Sequence, residues 1–414
     1  MPSPNSSESV DDIPVFVDGD TCSAHELDTV FKIKWSICNE SAVSLKNDYV
    51  LDLAADSGFT RVAAGLSSDT VHIFDINAGS TLSTFSDIPA IQESNTLGSV
   101  CGVRFLDETP NCLLIGSSQG IVRLFDLRMQ EELARFQESI ELSQGLSNVG
   151  RAKEMNARKA INCFASNSNG RIICTGTEVS YGNAYILFYD VRKRAQVGGY
   201  LECHESDITA LQFHALNPDL LCSGSTDGLI NIYDIKETTE EDALLTTINT
   251  ESTVQKLKWH KNVYEQDIIS CITDTNDFYV YFAEEGDVVA KFYRSQITAA
   301  MKRINEANCN VIDAHSLENG DIFLLSGTND NKGEVMRALR FNNNLLPMYD
   351  FNGNKQIVRS SIFDKKNDIL VTGGENGIVT LWTKSNHVHK SPALAYSSSE
   401  LKQKRKKSDK KTPY

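Results

Sequence analysis

Ser223-Gly-Ser-Thr-Asp-Gly-Leu-Ile-Asn-Ile-Tyr-Asp234 decides the reading of this chain, because the chain repeats it. Versions stand at Gly116-Ser-Ser-Gln-Gly-Ile-Val-Arg-Leu-Phe-Asp126, Gly65-Leu-Ser-Ser-Asp-Thr-Val-His-Ile-Phe-Asp75 and Gly373-Gly-Glu-Asn-Gly-Ile-Val-Thr-Leu-Trp-Thr383. Each joins a strand of small residues, a tight turn whose Gly or Asp accepts positive φ, and an alternating apolar strand ending in an aromatic. That is a β-hairpin signature. Copies at intervals of roughly 40 to 60 residues imply a propeller or another repeat array.

With the aromatic-Asp pair as anchor, units end at Asp75, Asp126, Asp190 and Asp234, then at the degraded sites Phe282-Ala283, Phe341-Asn342 and Trp382-Thr383. Units open with strands such as Val100-Cys-Gly-Val-Arg-Phe105 and close with strands such as Ala243-Leu-Leu-Thr-Thr-Ile248. Four short antiparallel strands per unit make a propeller blade, so an all-β propeller of seven blades is expected over residues 29–384. The last unit has no fourth strand after Trp382, while Val30-Phe-Lys-Ile-Lys-Trp-Ser-Ile37 is unassigned. Closure of the ring by this N-terminal strand would remove an open edge. About 50 residues per blade exceeds the roughly 40 to 45 typical of such repeats, so an eight-bladed count stays open at this point. Insertions at 139–160, 177–184, 236–243, 294–308 and 327–334 favour seven. Residues 1–28, acidic and rich in Ser, Asp and Pro, and the basic tail 385–414 are expected to be disordered.

Length alone, 414 residues, would allow two or three domains. The repeat argues for one. Ten cysteines occur without a Cys-x-x-Cys pair, most inside apolar strand patterns, so they read as free buried thiols in a reducing compartment. With neither an apolar leader nor a membrane-length apolar run, the chain is expected to be soluble and not secreted. The net charge of −15 is unevenly spread. Residues 402–411 hold seven cations and one anion, leaving 33 cations and 54 anions, or −21, elsewhere. An acidic body repels nucleic acid, so any polyanion contact is assigned to the tail.

The pattern His204…Ser223-Gly-Ser-Thr-Asp227-Gly…Tyr233-Asp234 resembles the WD-repeat family, with Tyr or Phe usually replacing the Trp. A narrower likeness to one branch of that family, undefined in function, is carried by Cys174–Glu178, His204–Thr209 with Ser223–Leu229, and Glu240–Thr247. The resemblance implies a WD40-type β-propeller in which His204, Ser223, Asp227 and Tyr233 form a hydrogen-bonded structural tetrad. A Ser, a His and an Asp together also suggest a hydrolase. Their repeat-equivalent placement favours the structural role, and neither a phosphate loop nor a His-Glu-x-x-His is present. No catalytic residue, metal or cofactor is therefore expected.

In a WD-type blade the enlarged loops 139–160 and 177–184, and 294–308 and 327–334, share one face. Arg151, Lys153, Arg158 and Lys159 make one basic stripe there, and Lys302 and Arg303, in the helix-compatible run Ile297–Ile304, make another. On an acidic body such loops favour an acidic protein partner. On the opposite side Phe125-Asp126-Leu-Arg128 and Tyr189-Asp190-Val-Arg192 resemble the Trp-Asp-x-Arg box of receptors that dock on the adaptor of the cullin-4 ubiquitin ligase. Such an Arg more often pairs with its own blade's Asp. The acidic run Glu237–Asp242 reads as a solvated loop rather than a calcium site. Lys404, Arg405, Lys406, Lys407, Lys410 and Lys411 form a nuclear-import pattern, with weak RNA contact as the alternative. Together these features lead to a monomeric, non-catalytic scaffold for protein partners in the nucleus or nucleolus, with the cytoplasm as the alternative. The competing readings are a ligase substrate receptor and a nucleolar assembly factor contacting RNA through the tail.

Overall fold

Residues 19–43, 48–77, 81–89, 98–106, 109–138, 159–180 and 182–385 are described by the computed structural model. The first strand is Ile33–Ala42 (β1). Val50–Ala55 (β2), Arg61–Leu66 (β3), Val71–Asn77 (β4) and Thr81–Ile88 (β5) form a four-stranded antiparallel sheet. The second sheet holds Val100–Leu106 (β6), Thr109–Ser117 (β7), Ile121–Asp126 (β8) and Glu131–Gln137 (β9). Ile161–Ser166 (β10), Ile172–Thr177 (β11), Ala184–Asp190 (β12) and Ala195–His204 (β13) make the third. The fourth comprises Ile208–Phe213 (β14), Leu220–Ser225 (β15), Leu229–Asp234 (β16) and Leu244–Asn249 (β17). In the fifth are Val254–Lys261 (β18), Asp267–Thr273 (β19), Phe278–Phe282 (β20) and Val288–Phe292 (β21). Cys309–Ser316 (β22), Ile322–Thr328 (β23), Met336–Asn342 (β24), Asn344–Asn352 (β25), Val358–Asp364 (β26), Ile369–Gly374 (β27) and Ile378–Lys384 (β28) complete the series. With β1 they make one eight-stranded sheet, in the order β22-β23-β24-β25-β1-β28-β27-β26.

The innermost strands β2, β6, β10, β14, β18, β22 and β26 neighbour one another in chain order, and β26 returns to β2. The ring is therefore closed, and the protein is an all-β propeller. Within each antiparallel four-stranded sheet, the turns from first to second and from third to fourth strand lie at the same end. These make the turn face of the ring. The turns between second and third strands and the connections between sheets make the loop face.

What spaces the sheets is the recurrent glycine of the quoted hairpin. A Cβ on Gly224 would lie 2.4 Å from Val254 Cγ1 on the next sheet, and Cβ atoms on Gly65 and Gly373 would stand equally close to Val100 and Val50. These glycines are strand positions that let a β-branched residue of the following inner strand approach. Between the fourth and fifth sheets that approach buries Cys222, Ile230, Ile232, Val254, Ile269, Tyr279 and their neighbours. All ten cysteines are free, and Cys163, Cys174, Cys203, Cys222, Cys271 and Cys309 are buried. Burial raises the Cys271 thiol to about 12, so it packs as a small neutral group.

The N-terminal strand β1 runs antiparallel to β28, from Trp35↔Lys384 to Ala42↔Ile378, with a bulge between Ile37 and Asn39. On its other side it runs parallel to β25, from Ile33↔Tyr349 to Ser36↔Asn352. Trp35 is 1% exposed and sits 5.5 Å, centroid to centroid, from both Tyr349 and Phe351.

One domain boundary is corrected. Residues 19–28, expected to be disordered, belong to the folded body. Ala24–Val30 (α1) is capped by Ser23 in a capping box with Glu26, and it buries Leu27 against Phe31 and the fifth sheet. Ahead of it, Asp20 bridges to Arg303 and accepts from Arg337 Nη1 at 2.7 Å. Both arginine side chains are nearly buried, at 7% and 5% exposure, and without Asp20 they would rely on Asp330 at 3.3 Å and Asp350 at 3.5 Å. Two further short helices are Glu240–Ala243 (α2) and Arg294–Ala300 (α3).

Candidate functional site

Three of the four expected tetrad members are joined. His204, at the end of β13, places Nδ1 2.9 Å from Asp227 Oδ2 and Nε2 2.7 Å from Ser223 Oγ on β15. Asp227 also accepts the backbone N–H groups of Glu205 and Leu229, which locks the β15–β16 turn around Gly228 at φ 84°. Burial opposes ionisation of this carboxyl, but His204 and the turn amides outweigh it and hold its pKa below the usual range. Tyr233, the fourth member, lies beside Ser223 and Asn231, yet its hydroxyl is buried without a well-formed hydrogen bond. In the last repeat, where the aromatic is Trp382, its indole N–H does donate to Thr372 Oγ1 at 2.9 Å.

The Ser-His-Asp arrangement has the connectivity of a hydrolytic triad. Ser223 is 0% exposed and His204 2%, so no substrate carbonyl can approach Oγ. Gly116-Ser-Ser-Gln-Gly120 spells a Gly-x-Ser-x-Gly pattern, but it falls on the β7–β8 hairpin instead of a strand-to-helix elbow. Its Ser118 hydroxyl accepts the backbone N–H of Ser99.

A second polar cluster, which the sequence reading missed, runs along the inner strands. His260 on β18 is 2.7 Å from Ser316 Oγ and 2.8 Å from Ser270 Oγ, while His315 on β22 is 2.8 Å from Ser361 Oγ. Burial, reinforced by Lys258, pushes His260 down to about 3. Lys258 pairs with Asp313 at 2.7 Å. Burial disfavours the Asp313 anion, but Lys258 and its neighbours prevail and hold it at about 2. Lys256 Nζ donates to the carbonyls of Ile312 and Arg359, tying β18 to β22 and β26. This cluster ties the three consecutive inner strands β18, β22 and β26 together.

The two Asp-x-Arg boxes adopt one geometry. Asp126 Oδ1 accepts from the backbone of Arg128 and Met129, and Asp190 Oδ1 from that of Arg192 and Lys193. Each Asp therefore fixes a turn. Arg128 approaches Asp126 only at 3.5 Å with its side chain 69% exposed, and Arg192 is exposed.

On the loop face, Lys159 pairs with Glu138 and lies over the Tyr185 ring at 4.9 Å. Arg303 departs from expectation. It points inward to Asp20 and Asp330 instead of outward, because two carboxylates there compensate its burial, and only Lys302 of that stripe stays near the surface. Arg151, Lys153 and Arg158, like the tail from Lys404 to Lys411, lie outside the described residues. Among the described residues no cluster of His, Cys, Asp and Glu could hold a metal, and no helix is long and apolar enough to cross a membrane.

Residues 196–234 and 346–383 match the WD domain, G-beta repeat family, and the first segment carries His204, Ser223, Asp227 and Tyr233. An uncharacterized WD repeat-containing protein of Saccharomyces cerevisiae is 29% identical over 45% of this chain, which spans 41% of that relative. The WD repeat-containing protein 89 homolog of Dictyostelium discoideum is 22% identical over 88% of this chain and 92% of its own length. WD repeat-containing protein GTS1 of Arabidopsis thaliana is 21% identical over 71% of this chain and 68% of its own. The narrower likeness read from Cys174–Glu178 and Glu240–Thr247 is thus to WD repeat-containing protein 89.

Proposed function

We propose that this WD-repeat protein is a non-catalytic scaffold that holds protein partners on the surface of a rigid seven-bladed ring. The eight-stranded sheet supports that count, because it divides at the parallel β1–β25 junction into two groups of four strands. Added to five four-stranded sheets, they make seven. The observation that carries the function is the burial of Ser223: the triad-like constellation it forms with His204 and Asp227 is sealed in the core, whereas the exposed chemistry of the described residues lies on turns and loops. Affinity capture with the intact protein tests it. Ser223→Ala should lower stability by about 1–3 kcal/mol, since it leaves His204 Nε2 unsatisfied, but should leave captured partners unchanged under permissive conditions. Partner loss from the folded variant would argue for chemistry at Ser223.

We place the work of this scaffold in a nuclear complex, with the tail 402–411 supplying import and weak RNA contact as its alternative role. The exposed guanidinium groups of Arg128 and Arg192 favour a second reading, docking on the cullin-4 ligase adaptor. Under it, Arg128→Ala with Arg192→Ala abolishes co-purification of that adaptor. Unchanged co-purification, or none from the unaltered protein, removes this reading.

A further inference from the structure

We propose that the turn face of the second to fifth sheets docks an acidic peptide that also carries apolar side chains, an inference that rests on the scaffold reading. Its cationic half is built from adjoining turns. Arg171 ends the turn between β10 and β11, and its carbonyl accepts the N–H of Val191 at 2.9 Å, next to the exposed run Arg192-Lys193-Arg194. Arg128 occupies the equivalent turn of the second sheet. Arg171, Arg192, Lys193 and Arg194 have no ion-pair partner among the described residues, because Asp190 is engaged by turn amides.

The apolar half continues from the same turns. Asn167 Nδ2 donates to the Pro218 carbonyl at 3.2 Å, which links the turn of Arg171 to that of Leu216. His214 Nε2 lies 3.1 Å from Asp267, linking Leu216 in turn to Val263 and Tyr264. Tyr264, Leu216, Val263 and Met129, at 80, 76, 61 and 60% exposure, are the four most exposed large apolar side chains among the described residues, and all four lie on this face. Their turns are held in shape: His214 Nδ1 accepts from Leu216 and Asn217, and Asn262 Oδ1 accepts from Tyr264. Pre-shaped apolar tips beside uncompensated cations fit one chain that is acidic at one end and apolar at the other.

The cationic run attracts acidic segments at close range, where salt screens the repulsion from a chain of net charge −15. A nucleic acid fits less well, since its charge is uniform along its length. Beyond Arg194 it would meet Asp219, Glu237 and Glu265, where Lys236 and Lys261 are already paired with Asp219 and Asp267.

The test titrates the full chain into a fluorescein-labelled synthetic peptide with an Asp/Glu block followed by Leu and Phe residues. The acidic block alone and a single-stranded oligonucleotide of similar length serve as comparators. Arg171→Glu with Arg192→Glu and Lys193→Glu should weaken peptide binding roughly tenfold or more, and added salt should weaken it as well. Leu216→Ser with Tyr264→Ser should weaken the complete peptide but leave the acidic block unaffected. Lys302→Glu, on the loop face, should change neither. Absence of saturable binding, equal affinity in the charge-reversed variant, or tighter binding of the oligonucleotide overturns the proposal. Should the charge-reversed variant fail to fold, the Leu216 and Tyr264 variant and the salt series decide. Capture of partners by the intact protein would still stand or fall separately.

Discussion

Single residues show which parts of the repeat the sequence can express. His204, Ser223 and Asp227 meet as the resemblance implied, since each sits at a repeat-equivalent position on a strand or turn. Tyr233 does not complete the chain, because a phenol in place of an indole makes no well-formed bond to Ser223, whereas the Trp382 indole still reaches Thr372. The turn glycine was legible, and Gly228 stands at φ 84°, but the strand glycine Gly224 works against Val254 of the next sheet, a contact with no local signature. The same limit hid His260 and His315, whose three serine partners all lie on other strands. These histidines carry a prediction. A His held at about 3 when folded, against 6.5 when unfolded, binds its proton first in the unfolded chain, so stability falls as pH drops through that window. The slope approaches about 1.4 kcal/mol per pH unit for each such group. His315, also lowered by burial, acts in the same direction, and Asp313 adds a loss between 3.8 and about 2. Denaturant midpoints measured from pH 7 downward should therefore decline, and His260→Gln should flatten the decline by about one proton. An identical slope in the variant would exclude His260 as the source.

Among elements, β1 was the most readable and α1 the least. An unpaired last unit demanded a strand, and Ile33–Ala42 supplies it beside β28. The parallel edge with β25 left no trace in the sequence, because nothing local distinguishes it. Ser23-Ala-His-Glu26 does spell a capping box, but the acidic, Ser-rich composition around it reads as disorder. What holds this arm is Asp20, whose partners Arg303 and Arg337 stand 283 and 317 residues away in sequence. Asp20→Ala should cost about 1–3 kcal/mol, less than the roughly 3–5 kcal/mol of a lone buried pair, because Asp330 and Asp350 still face the two arginines. Equilibrium unfolding checks the value, and a loss below about 1 kcal/mol would mean that solvent or Asp330 replaces the carboxylate. Limited proteolysis should then find the chain ahead of β1 cut more readily in the variant.

For the whole molecule, the repeat revealed the ring, while its working surfaces were only partly foreseen. The run Arg192-Lys193-Arg194 was in plain view, but its continuity with Leu216 and Tyr264 depends on turns that touch only once the ring is formed. The basic tail makes its prediction at this scale, since it acts on where the molecule resides. Deleting 402–411 should shift a fluorescent fusion from nucleus to cytoplasm, and a truncated protein that stays nuclear would assign those cations another task. One feature of the ring also bears on its birth. Lys34 on β1 and its partner Asp350 on β25 are 316 residues apart in sequence. At a synthesis rate of roughly 5–20 residues per second, β1 leaves the ribosome roughly 15–60 s before either strand that will flank it. For that interval Trp35 lacks the Tyr349 and Phe351 rings that cover it, and the nascent chain carries an unpaired strand edge. Circular permutants that begin at Val50 and deliver β1 immediately after β28 would abolish the wait, so they should aggregate less during translation than the natural order does.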